Sequence, residues 1–210
     1  MSGSGTSRRR PGAGRELVIR AARDLFARQG YDGTSLRDIA ERAGVNESVI
    51  YRSVGTKEQI FNAAVLEPYH GFIGSFVARW HSATERPSNS EMVGTFVRQL
   101  YDLLSENREL ITSLVAASTL TGSPGQTPAR AQLNAELDVL AAETAADAEG
   151  RGMDGVDFNL AVRCAVGMVM SLVLLDDWLL PAGDRRPSRE ALLDEAHQLI
   201  LGGLERNRRG

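Results

Sequence analysis

A chain of 210 residues with 42% hydrophobic side chains can build one small and one larger domain around sizeable cores. The single cysteine, Cys164, excludes an intrachain disulfide and fits a reducing, cytoplasmic setting. The net charge of −3 argues against a nucleic-acid partner until it is divided: residues 1–60 carry 11 Lys/Arg against 7 Asp/Glu, and residues 61–210 carry 13 against 20. Residues 1–14 are rich in Gly, Ser and Arg and lack an apolar secretory core, which predicts a flexible basic arm. Arg8, Arg9 and Arg10 in that arm are candidates for the minor groove or for shielding phosphates. An amphipathic helix follows, with Val18, Ala21, Ala22, Leu25 and Phe26 on one face and Gly30 as its stop.

Residues 34–61 read as helix, three-residue turn, short helix and the start of a longer helix. Leu36, Ile39, Ala43, Val45 and Ile50 have the spacing of a small three-helix core, Ala40 is small where two helices cross, and Gly44 suits a turn with positive φ. Ser35, Asn46 and Thr56 stand at helix starts as caps, the last with Gln59 in a capping-box pattern. Such a helix-turn-helix presents the N-terminal half of its second helix to a major groove.

The segment from about Arg15 to Phe61 resembles the DNA-binding domain of the TetR family of bacterial transcriptional regulators. The resemblance rests on Ala22, Phe26, Gly30, Tyr31, Thr34, Ile39, Ala40, Ala43-Gly44-Val45, Ile50-Tyr51 and Lys57-Glu58. It implies a homodimer binding double-stranded operator DNA, most often as a ligand-responsive repressor. Val54 stands where relatives have phenylalanine, while Glu47 and Val49 alter the surface that would read bases. The expected DNA-facing residues are Thr34, Ser35, Asn46, Glu47, Ser48, Tyr51, Arg52 and Lys57. Asn46, Glu47, Ser48 and Arg52 lie at the base-reading face, and Thr34, Tyr51 and Lys57 at phosphates.

The predicted domains are the arm, residues 1–14; the DNA-binding domain, 15–60; and a helical ligand-binding and dimerisation domain, 61–210. Further helices are predicted from Thr56 to the low eighties with a disturbance near Pro68, from the break at 87–90 through Leu104, over 108–120, over 129–149, over 158–180, and from Ser188 to about Leu204. The whole is all-α. The helix at 158–180 is apolar nearly all round and the last helix has a stripe of Leu192, Ala196, Leu199, Ile200 and Gly203, so both are expected at a four-helix subunit interface. Phe72, Phe76, Trp80, Phe96, Tyr101, Cys164, Met168 and Trp178 are the candidate lining of a pocket for a small, largely apolar or aromatic effector; core packing is the alternative for each. No cofactor or metal is expected: His70, His81 and His197 have no ligand spacing, and Asp176-Asp177 read as helix-end polar residues. A helical ligand-binding protein or enzyme without a DNA-binding function is the rival class.

Overall fold

The computed structural model describes residues 13–82, 87–120, 128–149 and 155–206, and among them there is no strand. The chain is all-α. Its helices are α1 (Ala13–Gln29), α2 (Leu36–Ala43), α3 (Glu47–Ser53), α4 (Lys57–Phe61), α5 (Glu67–Ser82), α6 (Asn89–Glu106), α7 (Arg108–Leu120), α8 (Pro128–Glu149), α9 (Phe158–Leu174), α10 (Asp176–Leu179) and α11 (Arg189–Arg206). Two compact units divide it, residues 1–67 with 109–123 and residues 68–108 with 124–210. Arg8, Arg9 and Arg10 lie outside the described residues.

In the first unit α1 packs against α2, α3 and α4. Val18, Ala22, Phe26, Ile39, Ile50, Ile60 and Phe61 form its core, the helical spacing on each element putting them on inner faces. Gly30 (φ 71°) ends α1, and Gly44 (φ 63°) ends α2 while its N–H and that of Val45 bond back to carbonyls of the last turn. Ser35 and Asp38 form a reciprocal capping box on α2, and Thr56 and Gln59 form another on α4. Asn46 holds the N-cap position of α3 with extended backbone, but its side chain makes no capping bond, contrary to the sequence expectation. Asp24 of α1 accepts from Arg28 at 2.9 Å and pairs with Arg42 of α2 at 2.5 Å, bracing the two helices. From α7, the Ser113 hydroxyl donates to the Phe26 carbonyl at 3.2 Å.

The helix expected from Thr56 is interrupted by a π turn over Asn62–Leu66, where the Glu67 N–H reaches the Asn62 carbonyl five residues back. The cause is one residue further on. Pro68 has no N–H to give, and in a regular α-helix its ring would press on the carbonyl four residues earlier.

In the second unit α9 packs against α6, α8 and α11. Ser88 and Glu91 cap α6 reciprocally, and its Met92, Val93, Phe96, Val97, Leu100 and Leu104 recur at three- and four-residue intervals on the buried face. Val162, Ala165, Val166, Val169 and Val173 of α9 and Leu193 and Ala196 of α11 complete the core. The helix expected to run to Leu180 stops at Leu174. Leu175 leaves helical geometry (φ −111°, ψ 20°) and Asp176 starts α10, its carboxylate accepting from the Asp177 N–H and pairing with Arg108 and with Arg186. Burial pushes the Asp176 carboxyl upward, but the Asp177 N–H and the two guanidiniums outweigh it and hold the group below the usual carboxylate range.

Candidate nucleic-acid interface and apolar cavity

The surface around α3 follows from what its helix must bury. Ile50 is 0% exposed and Val49 is half-buried, so the helix has one orientation on α1 and α2. That orientation leaves Asn46, Glu47, Ser48, Tyr51 and Arg52 exposed, Tyr51 by 57%. Asn46 has an amide uncommitted to capping, which offers two donors and an acceptor. Arg52 adds a forked donor and Glu47 an acceptor, so the exposed face carries both kinds of group that base edges require. Ser35 is exposed, with its hydroxyl already bonded to Asp38 at 2.6 Å. Lys57, at the start of α4, holds its ammonium 4.3 Å from the centre of the Tyr31 ring.

Thr34 requires a correction. It is 1% exposed, and its hydroxyl donates to the Gly30 carbonyl at 2.8 Å. This bond satisfies a carbonyl left over at the C-terminus of α1, so the side chain locks the α1–α2 connection and is not available to a phosphate.

The second unit holds a cavity of about 60 Å³ lined by Phe76, Met92, Val93, Phe96, Leu140, Thr144, Phe158, Ala161, Val162, Ala165, Ile200 and Leu204. Thr144 is its one polar side chain, and its hydroxyl already donates to the Leu140 carbonyl at 2.7 Å. Of the residues expected to line a pocket, Phe76 and Phe96 do so. Phe72 is half-buried and packs its ring on those of Phe76 and Phe96 at 6.2 and 5.9 Å from outside the lining. Tyr101 lies under the guanidinium of Arg189 at 5.6 Å. Cys164 is exposed, Met168 is half-buried outside the lining, and Trp178 is 89% exposed because the chain leaves the helix before reaching it. The side chain of Trp80 lies outside the described residues. Among the described residues no cluster of three or more His, Cys, Asp or Glu side chains could hold a metal, and no helix is long and apolar enough to cross a membrane. His70 contacts Glu136, and His197 lies 3.1 Å from the Ser90 hydroxyl, so each has a structural partner.

Residues 18–64, which contain α2, the glycine turn and α3, match the family model described as bacterial regulatory proteins, tetR family. Residues 18–64 of this chain carry the N-terminal domain of the TetR family. It is similar to an HTH-type transcriptional repressor of Mycobacterium tuberculosis (strain ATCC 25618 / H37Rv), 44% identical over 64 residues, which are 29% of this chain and 34% of that one. The match thus spans about a third of that relative. Two solved structures share the fold over more of the chain. The fatty acid degradation regulator FadR from Bacillus halodurans has a TM-score of 0.64 at 22% identity, covering 90% of this chain and 98% of its own. AibR in complex with isovaleryl coenzyme A and operator DNA has a TM-score of 0.60 at 22% identity, also covering 90% and 98%.

Most cavity residues escaped the sequence reading because it followed aromatic side chains. Ala161, Val162 and Ala165 are small or aliphatic neighbours on α9, Leu140 and Thr144 stand four apart on α8, and Phe158, the one aromatic passed over, is the first residue of its helix. A usable signal was present in Thr144, a lone hydroxyl on the inner face of α8 beside Leu140 and Ala141.

Proposed function

We propose that this chain is a ligand-responsive transcriptional repressor that reads a palindromic operator as a homodimer in the cytoplasm, and that it performs no catalysis. Residues 15–60 read DNA with help from the arm at 1–14, and residues 61–210 take the effector and the second subunit. One observation carries the reading: the exposed polar face of α3, fixed by the buried Ile50, lies within the segment matched by the family model. Asn46, Glu47, Ser48 and Arg52 read base edges there, and Tyr51, Ser35 and Lys57 set the docking on phosphates. The repressor activity named for the mycobacterial relative and the operator complex of AibR support it.

The second subunit is supported by uncovered apolar surface. Leu160, Cys164, Gly167 and Ser171 succeed one another at helical spacing on α9, with Leu175 just past its end; four of the five are exposed and Ser171 is half-buried, while Leu199 and Gly203 are exposed on the adjoining α11. A second copy covers this face and supplies the second α3, roughly 34 Å from the first, that a palindrome demands. The cavity offers no charged side chain, so the effector is an apolar compound, or a larger one that inserts an apolar group. The isovaleryl coenzyme A bound by AibR is a ligand of the second kind.

Fluorescence anisotropy with duplexes from the DNA beside the chain's own gene tests the reading. One duplex should bind far more tightly than the rest, and Arg52→Ala should cost about 1–3 kcal/mol on that duplex alone. Absence of preferential retention on any duplex, with the protein folded, would overturn it in favour of a ligand-binding module. A compound found by thermal-shift screening that occupies the cavity should weaken operator binding, and operator should weaken that compound's binding by the same factor.

A further inference from the structure

We propose that Tyr31 is a positioning residue for DNA binding, its ring holding the Lys57 ammonium where it meets a phosphate. The inference rests on the DNA-binding reading above and adds a residue that makes no base or phosphate contact of its own.

The ring is fixed from two sides. Phe61 meets it edge-on at 5.0 Å with planes 80° apart, and Phe26 stacks at 5.9 Å with planes 25° apart. Phe26 and Phe61 are themselves core residues of the first unit. The third side of Tyr31 carries the Lys57 ammonium at 4.3 Å. A lysine stem is otherwise free to sample many rotamers, and docking onto DNA must then order it. A cation resting on a ring face still has N–H donors turned away from the ring for an oxygen partner. Burial first, and then the nearby charges of Glu58 and Asp32, raise the pKa of the Tyr31 hydroxyl. The phenol therefore stays neutral at working pH, and the contact with the cation is made by the ring face. Lys57 is the only lysine in the chain, so no other lysine can take over its role.

That uniqueness also makes the contact directly observable. Reductive methylation with ¹³C-formaldehyde places one pair of labelled methyl groups on a lysine side chain, at Lys57, and keeps its charge. In the full-length wild type these methyls should resonate upfield from ring current, stay upfield in Tyr31→Phe, and return to the free-lysine position in Tyr31→Leu. Affinity is then measured for a duplex that the wild type selects from a random pool. Tyr31→Leu should weaken binding about 2- to 5-fold. Tyr31→Phe should bind like wild type, and Tyr31→Leu should cost nothing further in a Lys57→Ala background. An unshifted methyl signal in the wild type overturns the contact without requiring any variant to fold. A shifted signal combined with equal losses from Tyr31→Leu in both backgrounds overturns the positioning role alone. A wild type that selects no duplex overturns both this inference and the reading beneath it.

Discussion

Thr34 shows how one hydroxyl changes roles with burial. Its bond to the Gly30 carbonyl satisfies a helix end that has no other partner at that position, so its loss should be felt in folding rather than in DNA affinity. Thr34→Val keeps the shape and should lower stability by about 1–3 kcal/mol in urea unfolding. The salt dependence of DNA binding should stay as steep as in the wild type, since no phosphate contact is removed. A shallower salt slope with unchanged stability would return Thr34 to the DNA surface. Ile50 and Arg52 illustrate the opposite assignment within one turn of helix: the first is sealed in the core and the second faces outward.

At the scale of elements, the helix boundaries of the first unit were legible because capping residues act locally. Ser35 with Asp38, Thr56 with Gln59 and Gly44 each declare a helix end within four residues of sequence, and each does so in the structure. The break after Leu174 was hidden because its cause is distant: Arg108 and Arg186 must both approach Asp176 before the chain has reason to turn there. The cavity was partly legible for a related reason. Periodicity identifies inner faces, but which inner residues fail to meet depends on how α6, α8, α9 and α11 pack. The α2 capping box also predicts a pH dependence. The Ser35 hydroxyl first, and its backbone N–H second, hold the Asp38 carboxyl below its ordinary value. A depressed folded-state pKa means the contribution is full above the unfolded pKa and fades as pH falls through the folded one. Ser35→Ala should therefore flatten the acid side of the stability–pH curve, seen in thermal melts between pH 6 and about pH 2. An unchanged acid limb would show the box to be silent in solution.

At the scale of the whole molecule, the proposed assembly depends on the uncovered stripes of α9 and α11. Leu160 is 60% exposed and Leu199 is 55% exposed, so charging them removes little from the monomer's own core. Leu160→Glu with Leu199→Glu should leave helix content intact and halve the mass in sedimentation equilibrium. Affinity for a palindromic duplex should collapse toward that for a half-site, because the second contact is no longer delivered at high effective concentration. A pair of substitutions that leaves the mass unchanged would place the subunit face elsewhere.

The π turn at Asn62–Leu66 widens one turn of the helical run from Lys57 to Ser82. It amounts to one residue more than an unbroken α-helix would use, and one residue is a rotation of about 100°. Phe61 is buried in the first unit, and Ile73 and Phe76 are buried in the second. Deleting the exposed Asn62 would not restore a regular helix, because Pro68 would still have no N–H to give and its ring would still press on the carbonyl four residues earlier. Pro68 thus makes the wide turn a property of this point in the sequence, whatever number of residues precedes it.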